Sequence, residues 1–263
     1  MSNGKENMTV LIKYPQQNKI TNADFFKRKN DEDINWSYWG GWFDTDGSFT
    51  GKQGKLTLKD HEPVKIFSKV FETSLLFNEY KTTTPNTAQY IAKMFTAILR
   101  QEKLNWFCRN IEKFIINKKQ SLFKTCDQSF LSNREPWTKQ ETINYIAGVV
   151  EGDGSFLYQT KNKAAYLNLS IYSSNAQYLS DLQDRLNQHN LCNLGDIKEW
   201  KTSYQTKKGE RLKYYFCIYL SHRNMENLEF IKSICKVMTI ERKKEKIRQF
   251  LNVVEPSFLN TLS

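Results

Sequence analysis

The sequence predicts an α+β chain of two related halves, each running helix, two strands, helix, two strands, helix. Three observations predict it. A stretch occurs twice, as Trp36 to Phe49 and as Ile143 to Phe156. The same succession of helical and strand patterns follows each copy. Between them lies a segment of mixed polarity with no steady period. Aligned on Asp46 and Asp153, both copies read Tyr, apolar, small, Gly, apolar, apolar, acid, small, Asp, Gly, Ser, Phe. The copies lie 107 positions apart, which is too long for a solenoid repeat.

Each copy reads as a helix that ends at its last Gly. The run before the acids is apolar on every side, as in a helix buried all round. Gly inside a helix costs ~1 kcal/mol relative to Ala. Gly40-Gly41 and Ala147-Gly148 therefore need a reason. Close approach of another helix supplies one, and the obvious partner is the other copy. Gly41 and Gly148 are expected to face each other. Gly47 and Gly154 then act as left-handed residues that stop the helix, and Ser48-Phe49 and Ser155-Phe156 start strands.

In the first half, Phe49 to Lys52 and Lys55 to Lys59 read as a short hairpin, with Gly51 and Gly54 near its turn. Pro63 sits at a helix start, and Val64, Phe67, Val70, Phe71 and Leu75 recur at helical spacing. Asn78 to Thr83 and Thr87 to Ile98 read as strands around Pro85-Asn86. Leu104, Phe107, Ile111, Phe114 and Ile115 mark a helix. The first half spans residues 31–119, and residues 120–137 form a linker. A local helix near Ser121 to Phe130 stays open as the alternative.

Residues 138–263 form the second half and a C-terminal helix. Thr138 to Glu141 is a capping box before an apolar run. Tyr166 to Tyr172 alternates, with Tyr166, Asn168, Ser170 and Tyr172 on one face and Leu167, Leu169 and Ile171 on the other. Leu179, Leu182 and Leu186 line a helix. Ile197 to Gln205 and Leu212 to Leu220 pair as strands. Leu228, Ile231, Ile234 and Cys235 line another helix, and Arg242 to Phe250 is a basic one.

Composition narrows the partner. Of 263 residues 39% are hydrophobic, enough for a substantial core, and the net charge is +11. That balance favours a polyanion. Five Cys, without a Cys-x-x-Cys, argue for an intracellular, reducing compartment with neither zinc nor a disulfide framework. No apolar run approaches membrane-spanning length, so no membrane partner is expected. Residues 1–30 read as an N-terminal arm. They lack the apolar segment of a secretory signal, and Glu6 and Asp24, with Asp31 and Glu32 beyond, fit a transit peptide poorly.

The acids are the unusual feature. Asp44, Asp46, Glu151 and Asp153 sit at helix C-termini, where carboxylates destabilise. Two such ends side by side would gather four acids, and a hard divalent cation such as magnesium or calcium would relieve the repulsion. A lone Asp-Thr-Asp-Gly is more often a solvated turn, but a doubled one is not. An EF-hand is excluded, because Lys55 and Asn162 stand where its closing Glu belongs.

On Trp39 to Gly47 and Ile146 to Gly154, the sequence resembles the LAGLIDADG homing endonucleases in their single-chain, two-motif form. Trp39 replaces the usual Leu, Gly40 the usual Ala, and Glu151 the usual first Asp. The last acids, Asp46 and Asp153, match the family's metal ligands. The resemblance implies two pseudo-twofold-related αββαββα halves, with motif helices packed at their interface. It also implies a saddle of antiparallel sheets on a long double-stranded DNA target. Magnesium is the implied cofactor, with manganese as a substitute and calcium binding without supporting cleavage. The carbonyls of Thr45 and Gly152 are implied as further oxygen ligands. Arg100 and Arg223, with His222 next, match the family's basic residues at the end of the fourth strand. Asp60 and Ser173 match positions that place a water.

A half-buried antiparallel sheet leaves one face free, and a two-stranded ribbon fits the major groove. The free faces here are basic and polar-aromatic. They hold Thr50, Lys52, Thr57, Lys59 and Lys81 in the first half, and Gln159, Lys161, Tyr166, Asn168, Ser170 and Tyr172 in the second. Lys198, Trp200, Lys201, Tyr204, Arg211 and Lys213 join them. Lys and Arg neutralise phosphate, while Asn, Gln, Ser and Tyr read base edges. The expected activity is metal-dependent, site-specific double-strand cleavage by a monomer. Two alternatives stand on the same scaffold: an RNA-binding intron maturase, and a DNA-binding protein without cleavage. An organelle that encodes such a protein fits the resemblance.

Overall fold

The computed structural model describes residues 8–12, 34–83, 89–125, 136–161, 164–201, 212–221 and 223–257. The chain divides into two compact units. One takes in residues 1–36, 46–112 and 120–131, and the other residues 37–45, 113–119 and 132–263.

The first unit is built on a five-stranded antiparallel sheet. Its first strand, β1 (Met8–Ile12), pairs with β4. The sequence leads one to expect an arm here; instead the unbroken run Thr-Val-Leu-Ile, rich in β-branched residues, pairs as a strand. The motif helix α1 (Trp36–Thr45) groups, apart from Trp36, with the second unit. Next come β2 (Gly47–Thr50) and β3 (Gln53–Leu58), joined through Gly51-Lys52. Gly51 has φ of +57°, the first-position glycine that a tight hairpin of this hand requires. Then follow α2 (His61–Val70), β4 (Leu75–Thr83), β5 (Gln89–Arg100), α3 (Gln101–Ile111) and the short α4 (Lys119–Thr125). The sheet order is β1-β4-β5-β3-β2.

Alternation along the strands sends Leu56, Leu58, Leu75, Ala97 and Leu99 inward, all buried. α2 and α3 cover that face with an aromatic cluster. Phe67 and Phe71 lie 4.5 Å apart, and Phe71 meets Phe107 edge-on at 5.0 Å. Trp36 packs edge-on against Trp106 at 5.0 Å. The interval read as a linker carries α4, whose Leu122 is buried; residues 126–135 lie outside the described residues.

The second unit opens with α5 (Lys139–Asp153). The Thr138 hydroxyl accepts from the Glu141 backbone N–H at 3.1 Å, and the Glu141 carboxylate accepts from that of Thr138 at 2.8 Å. The capping box read from sequence is therefore in place. Then follow β6 (Gly154–Lys161), β7 (Ala164–Ser173), α6 (Ala176–Gln188), β8 (Lys198–Lys201), β9 (Leu212–Ser221), α7 (Leu228–Val237) and α8 (Glu241–Val254). The order β6-β7-β9-β8 repeats that of β2-β3-β5-β4 in the first unit. Phe156, Leu167, Leu169, Ile171, Phe216, Ile218 and Leu220 form the inner face. Leu179, Leu182 and Leu186 of α6 and Ile247, Phe250 and Leu251 of α8 are buried on it.

Two expectations are corrected. Among the described residues Gly51 is the only glycine with positive φ, so neither Gly47 nor Gly154 is a left-handed stop. Gly154 is extended, with φ of −80° and ψ of 148°. Its glycine is needed because a Cβ would lie 2.5 Å from the Val150 carbonyl oxygen, where the strand leaves hard against the last helical turn. Cysteine usage also differs: Cys108 is disulfide-bonded, while Cys192, Cys217 and Cys235 are free. No helix among the described residues is long and apolar enough to cross a membrane.

Candidate active site

The site begins with two helices in backbone contact. A Cβ on Gly41 would fall 2.1 Å from the Tyr145 carbonyl oxygen and 2.9 Å from the Val149 nitrogen. One on Gly148 would fall 2.2 Å from the Tyr38 oxygen and 3.0 Å from the Trp42 nitrogen. Tyr38 and Tyr145 hold the same motif position, as do Trp42 and Val149, so the contact is reciprocal. Gly40 and Ala147 are both buried. Gly40 has a different neighbour from Gly41, the Cβ of Phe114, 2.6 Å from where its own Cβ would be.

The same reciprocity extends to the first acid of each motif. Tyr145 donates its hydroxyl to the Asp44 carboxylate, and Tyr38 donates to Glu151. Each carboxylate also caps a turn. Asp44 accepts the backbone N–H groups of Ile116 and Lys118, the latter at 2.9 Å. Glu151 accepts those of Thr239 and Ile240, just ahead of α8, and the Thr239 hydroxyl at 3.2 Å. Asp44 is 1% exposed and Glu151 2%. Burial raises both carboxyl groups above their ordinary range, and the hydrogen bonds pull them part of the way back. Burial also pushes the phenols of Tyr38, Tyr145 and Tyr178 well up, reinforced by the neighbouring carboxylates.

The four acids therefore do not act as one cluster. Backbone N–H groups and tyrosine hydroxyls hold the Asp44 and Glu151 carboxylates in place. Among the described residues no group of three His, Cys, Asp or Glu side chains stands ready to hold a metal. Asp46, in the turn after α1, and Asp153, the last residue of α5, are exposed. Each is one hard carboxylate oxygen donor. Magnesium keeps several waters and binds through one or two carboxylates plus phosphate, so this donor chemistry fits it without a preformed cage.

Two lysines that sequence reading missed close the helix ends. Lys118 donates its ammonium to the Thr45 carbonyl. Lys243, 7% exposed, donates to the carbonyls of Val150 at 2.8 Å, Glu151 at 2.6 Å and Gly154 at 2.8 Å, with Gly152 at 3.5 Å. The carbonyls of Thr45 and Gly152 that the resemblance marks as metal ligands thus already accept from ammonium groups. Lys243 lies in a basic helix and Lys118 in a turn, places where lysines read as solvated, so nothing in the pattern set these two apart.

The free sheet faces carry the remaining candidates. In the second unit Gln159, Lys161, Lys198 and Lys213 are exposed, Tyr166, Asn168 and Tyr172 are half-buried, and Ser170 is buried. Asn168 stands opposite Leu157 on one side and Tyr219 on the other. Leu157 is 51% exposed and Tyr219 44%, and neither was among the sequence candidates. Tyr172 pairs with Tyr215, ring centres 5.6 Å apart. In the first unit Thr50, Lys52 and Lys59 are exposed, and Thr57 bonds Thr96 at 3.1 Å. The register places Gln53 and Lys55 on the same face as Thr57, two further positions missed. Lys81, Trp200 and Lys201 lie in β4 and β8. Tyr204 and Arg211 lie outside the described residues.

With this geometry in view, the chain compares with known structures as follows. It is similar to LAGLIDADG proteins. The meganuclease I-SmaMI bound to uncleaveable DNA is 12% identical, over 87% of this chain and 94% of that one, with a TM-score of 0.44. LAGLIDADG homing endonuclease I-GzeII in complex with its DNA target is 12% identical, over 88% and 93%, at 0.45. The N-terminal LAGLIDADG domain of DUF199/WhiA is 13% identical, over 82% and 86%, at 0.45. No protein-family model matches the chain, and no curated protein does.

The remaining positions that the sequence resemblance marks are these. Arg100 is the last residue of β5, exposed and opposite Gln53. Arg223 is exposed in the turn after β9, where its backbone N–H donates to the Ser221 hydroxyl at 3.3 Å. His222 lies outside the described residues. Asp60 precedes α2. Ser173 ends β7 and accepts from the Asn175 N–H at 3.1 Å.

Proposed function

We propose that this chain is a LAGLIDADG endonuclease that cuts both strands of a specific DNA duplex with magnesium. One observation carries the reading. Two motifs whose helices contact each other reciprocally bury their first acids and leave Asp46 and Asp153 exposed at equivalent helix ends. Asp44 and Glu151, by contrast, are buried and shape the fold.

Asp46 and Asp153 would hold the divalent ions, one from each motif. A bound magnesium supplies an activated water and neutralises phosphate charge. The chain's own residues do the rest. Lys161, Lys198 and Lys213, exposed on the second sheet, bind phosphates and fix register. Asn168, Gln159 and the tyrosines face the base edges, and Leu157 offers an apolar contact of the kind that reads a thymine methyl. Arg100 and Arg223, both exposed, would neutralise backbone charge.

The test is incubation of purified protein with a randomised duplex library and magnesium, followed by sequencing of the cut ends. One recurrent site cut on both strands is expected, and none with Asp46→Asn or Asp153→Asn. Tight binding to structured RNA, with no DNA preference and no cleavage, overturns the reading in favour of a maturase.

A further inference from the structure

We propose that Lys243 and Lys118 are positioning residues, one for each motif, whose ammonium groups lock the helix ends that present Asp153 and Asp46. A helix C-terminus leaves four carbonyls without intrahelical donors, and an ammonium brings three protons with no acceptor. At α5 Lys243 reaches two of these carbonyls, those of Glu151 and Gly152. It also reaches that of Val150, which accepts the Gly154 N–H as well, and that of Gly154, the first residue of β6. Val150, Glu151 and Gly154 each receive a bond of 2.8 Å or less, and Gly152 lies at 3.5 Å. These carbonyls flank Asp153 on both sides. Lys243 is thus bonded to the residue just before the acid and to the residue just after it.

The first motif solves the same problem with different parts. Lys118 donates to Thr45, the residue before Asp46, and the Asn117 amide donates to the Asp44 carbonyl at 3.3 Å. In both motifs the lysine lies close in sequence to the turn that the buried acid caps: Ile116 and Lys118 for Asp44, Thr239 and Ile240 for Glu151. Acid and lysine together clamp each helix end to one following segment. The positive charge also offsets the partial negative charge of the helix terminus, where an exposed Asp would otherwise be disfavoured.

A purely structural lysine and a positioning lysine differ in what they disturb. Loss of a structural lysine lowers the folded fraction and slows every activity equally. Loss of a positioning lysine frees one helix end and impairs the phosphate which that end serves. A double-strand cut needs two phosphates, so the two lysines are separable by strand.

The inference rests on the nuclease reading for its cleavage arm only. Lys243→Met and Lys118→Met are compared with wild type in two experiments. In amide hydrogen exchange, Lys243→Met is expected to raise exchange at residues 152–155 at least tenfold and leave residues 45–48 unchanged, with the reverse for Lys118→Met. On a supercoiled target plasmid each variant is expected to accumulate nicked circles, cutting one strand at least tenfold slower than the other, with opposite strand preference. Lys→Arg at the same positions retains the charge and is expected to restore much of the slow strand. Equal slowing of both strands, or exchange that rises throughout the chain, overturns the proposal. Wild type that cuts no DNA overturns the nuclease reading instead, and the exchange arm then decides the lysines alone. Lys118 is only half-buried, so its variant keeps the test available if Lys243→Met fails to fold.

Discussion

Asp44 and Asp46 are two residues apart, yet they belong to different chemistries. Removing Asp44 strands the N–H groups of Ile116 and Lys118 and the buried Tyr145 hydroxyl. Each unsatisfied buried group costs ~1–3 kcal/mol, so Asp44→Ala is expected to lose about 3 kcal/mol or more in denaturant titration, and Glu151→Ala a similar amount. Asp46→Asn and Asp153→Asn, on exposed side chains, are expected to stay within about 0.5 kcal/mol of wild type while losing cleavage. If the four variants lose stability alike, the division of roles is wrong. The sequence marked all four acids but did not divide them. Both classes sit at a helix end with the same charge, and only the partner segments at 116–118 and 239–240, more than 70 residues away, tell them apart. A second expectation concerns Cys192, whose thiol is pushed up to about 12 by burial. The thiolate is the nucleophile, so iodoacetamide at pH 8 is expected to spare Cys192 in the folded chain and modify it after unfolding, as read by peptide mass.

The paired helices were legible because glycine at a helix centre has few explanations. Gly41 and Gly148 were singled out on helical cost alone, and each lies against the backbone of the other helix. A backbone cannot rotate aside as a side chain can, so an added methyl must push the helices apart. Overpacking costs ~1–3 kcal/mol and occasionally more. Gly41→Ala and Gly148→Ala are expected to lower the melting temperature by roughly 2–12 °C, and a calorimetric shift under one degree would contradict the contact. The sheets were legible to within a few residues, since strict alternation along β7 and β9 leaves one register that buries Leu167, Leu169, Ile171, Phe216, Ile218 and Leu220. Cross-strand neighbours were not. Leu157 and Tyr219 come from different strands, and only pairing sets them either side of Asn168. The strand β1 was also missed, because five residues between polar flanks carry no periodic signal long enough to read.

For the whole chain, a charge of +11 makes salt the first control, and affinity for any duplex is expected to fall steeply with ionic strength. Charge alone could not name the partner, and the doubled motif was needed to choose DNA. The metal argument read from sequence changes in kind. Four gathered carboxylates would hold a divalent ion tightly without DNA. With Asp44 and Glu151 committed to backbone N–H groups, and Thr45 and Gly152 carbonyls accepting from lysines, too few ligands remain for that. On the proposed nuclease reading, phosphate oxygens would complete the coordination, so metal and DNA would bind interdependently. Coupling of this kind is reciprocal: whatever factor DNA adds to metal affinity, metal adds to DNA affinity. Calcium is the probe, since it is expected to bind without cleavage. By calorimetry the free protein is expected to bind calcium no tighter than about 1 mM, at the weak end of oxygen-ligand sites, and the DNA complex at least tenfold tighter. Filter binding of the same duplex in EDTA and in calcium is expected to return that same factor, and Asp46→Asn combined with Asp153→Asn to abolish it. Micromolar calcium binding by the protein alone would mean that a complete carboxylate site exists without DNA, and the interdependence would fall.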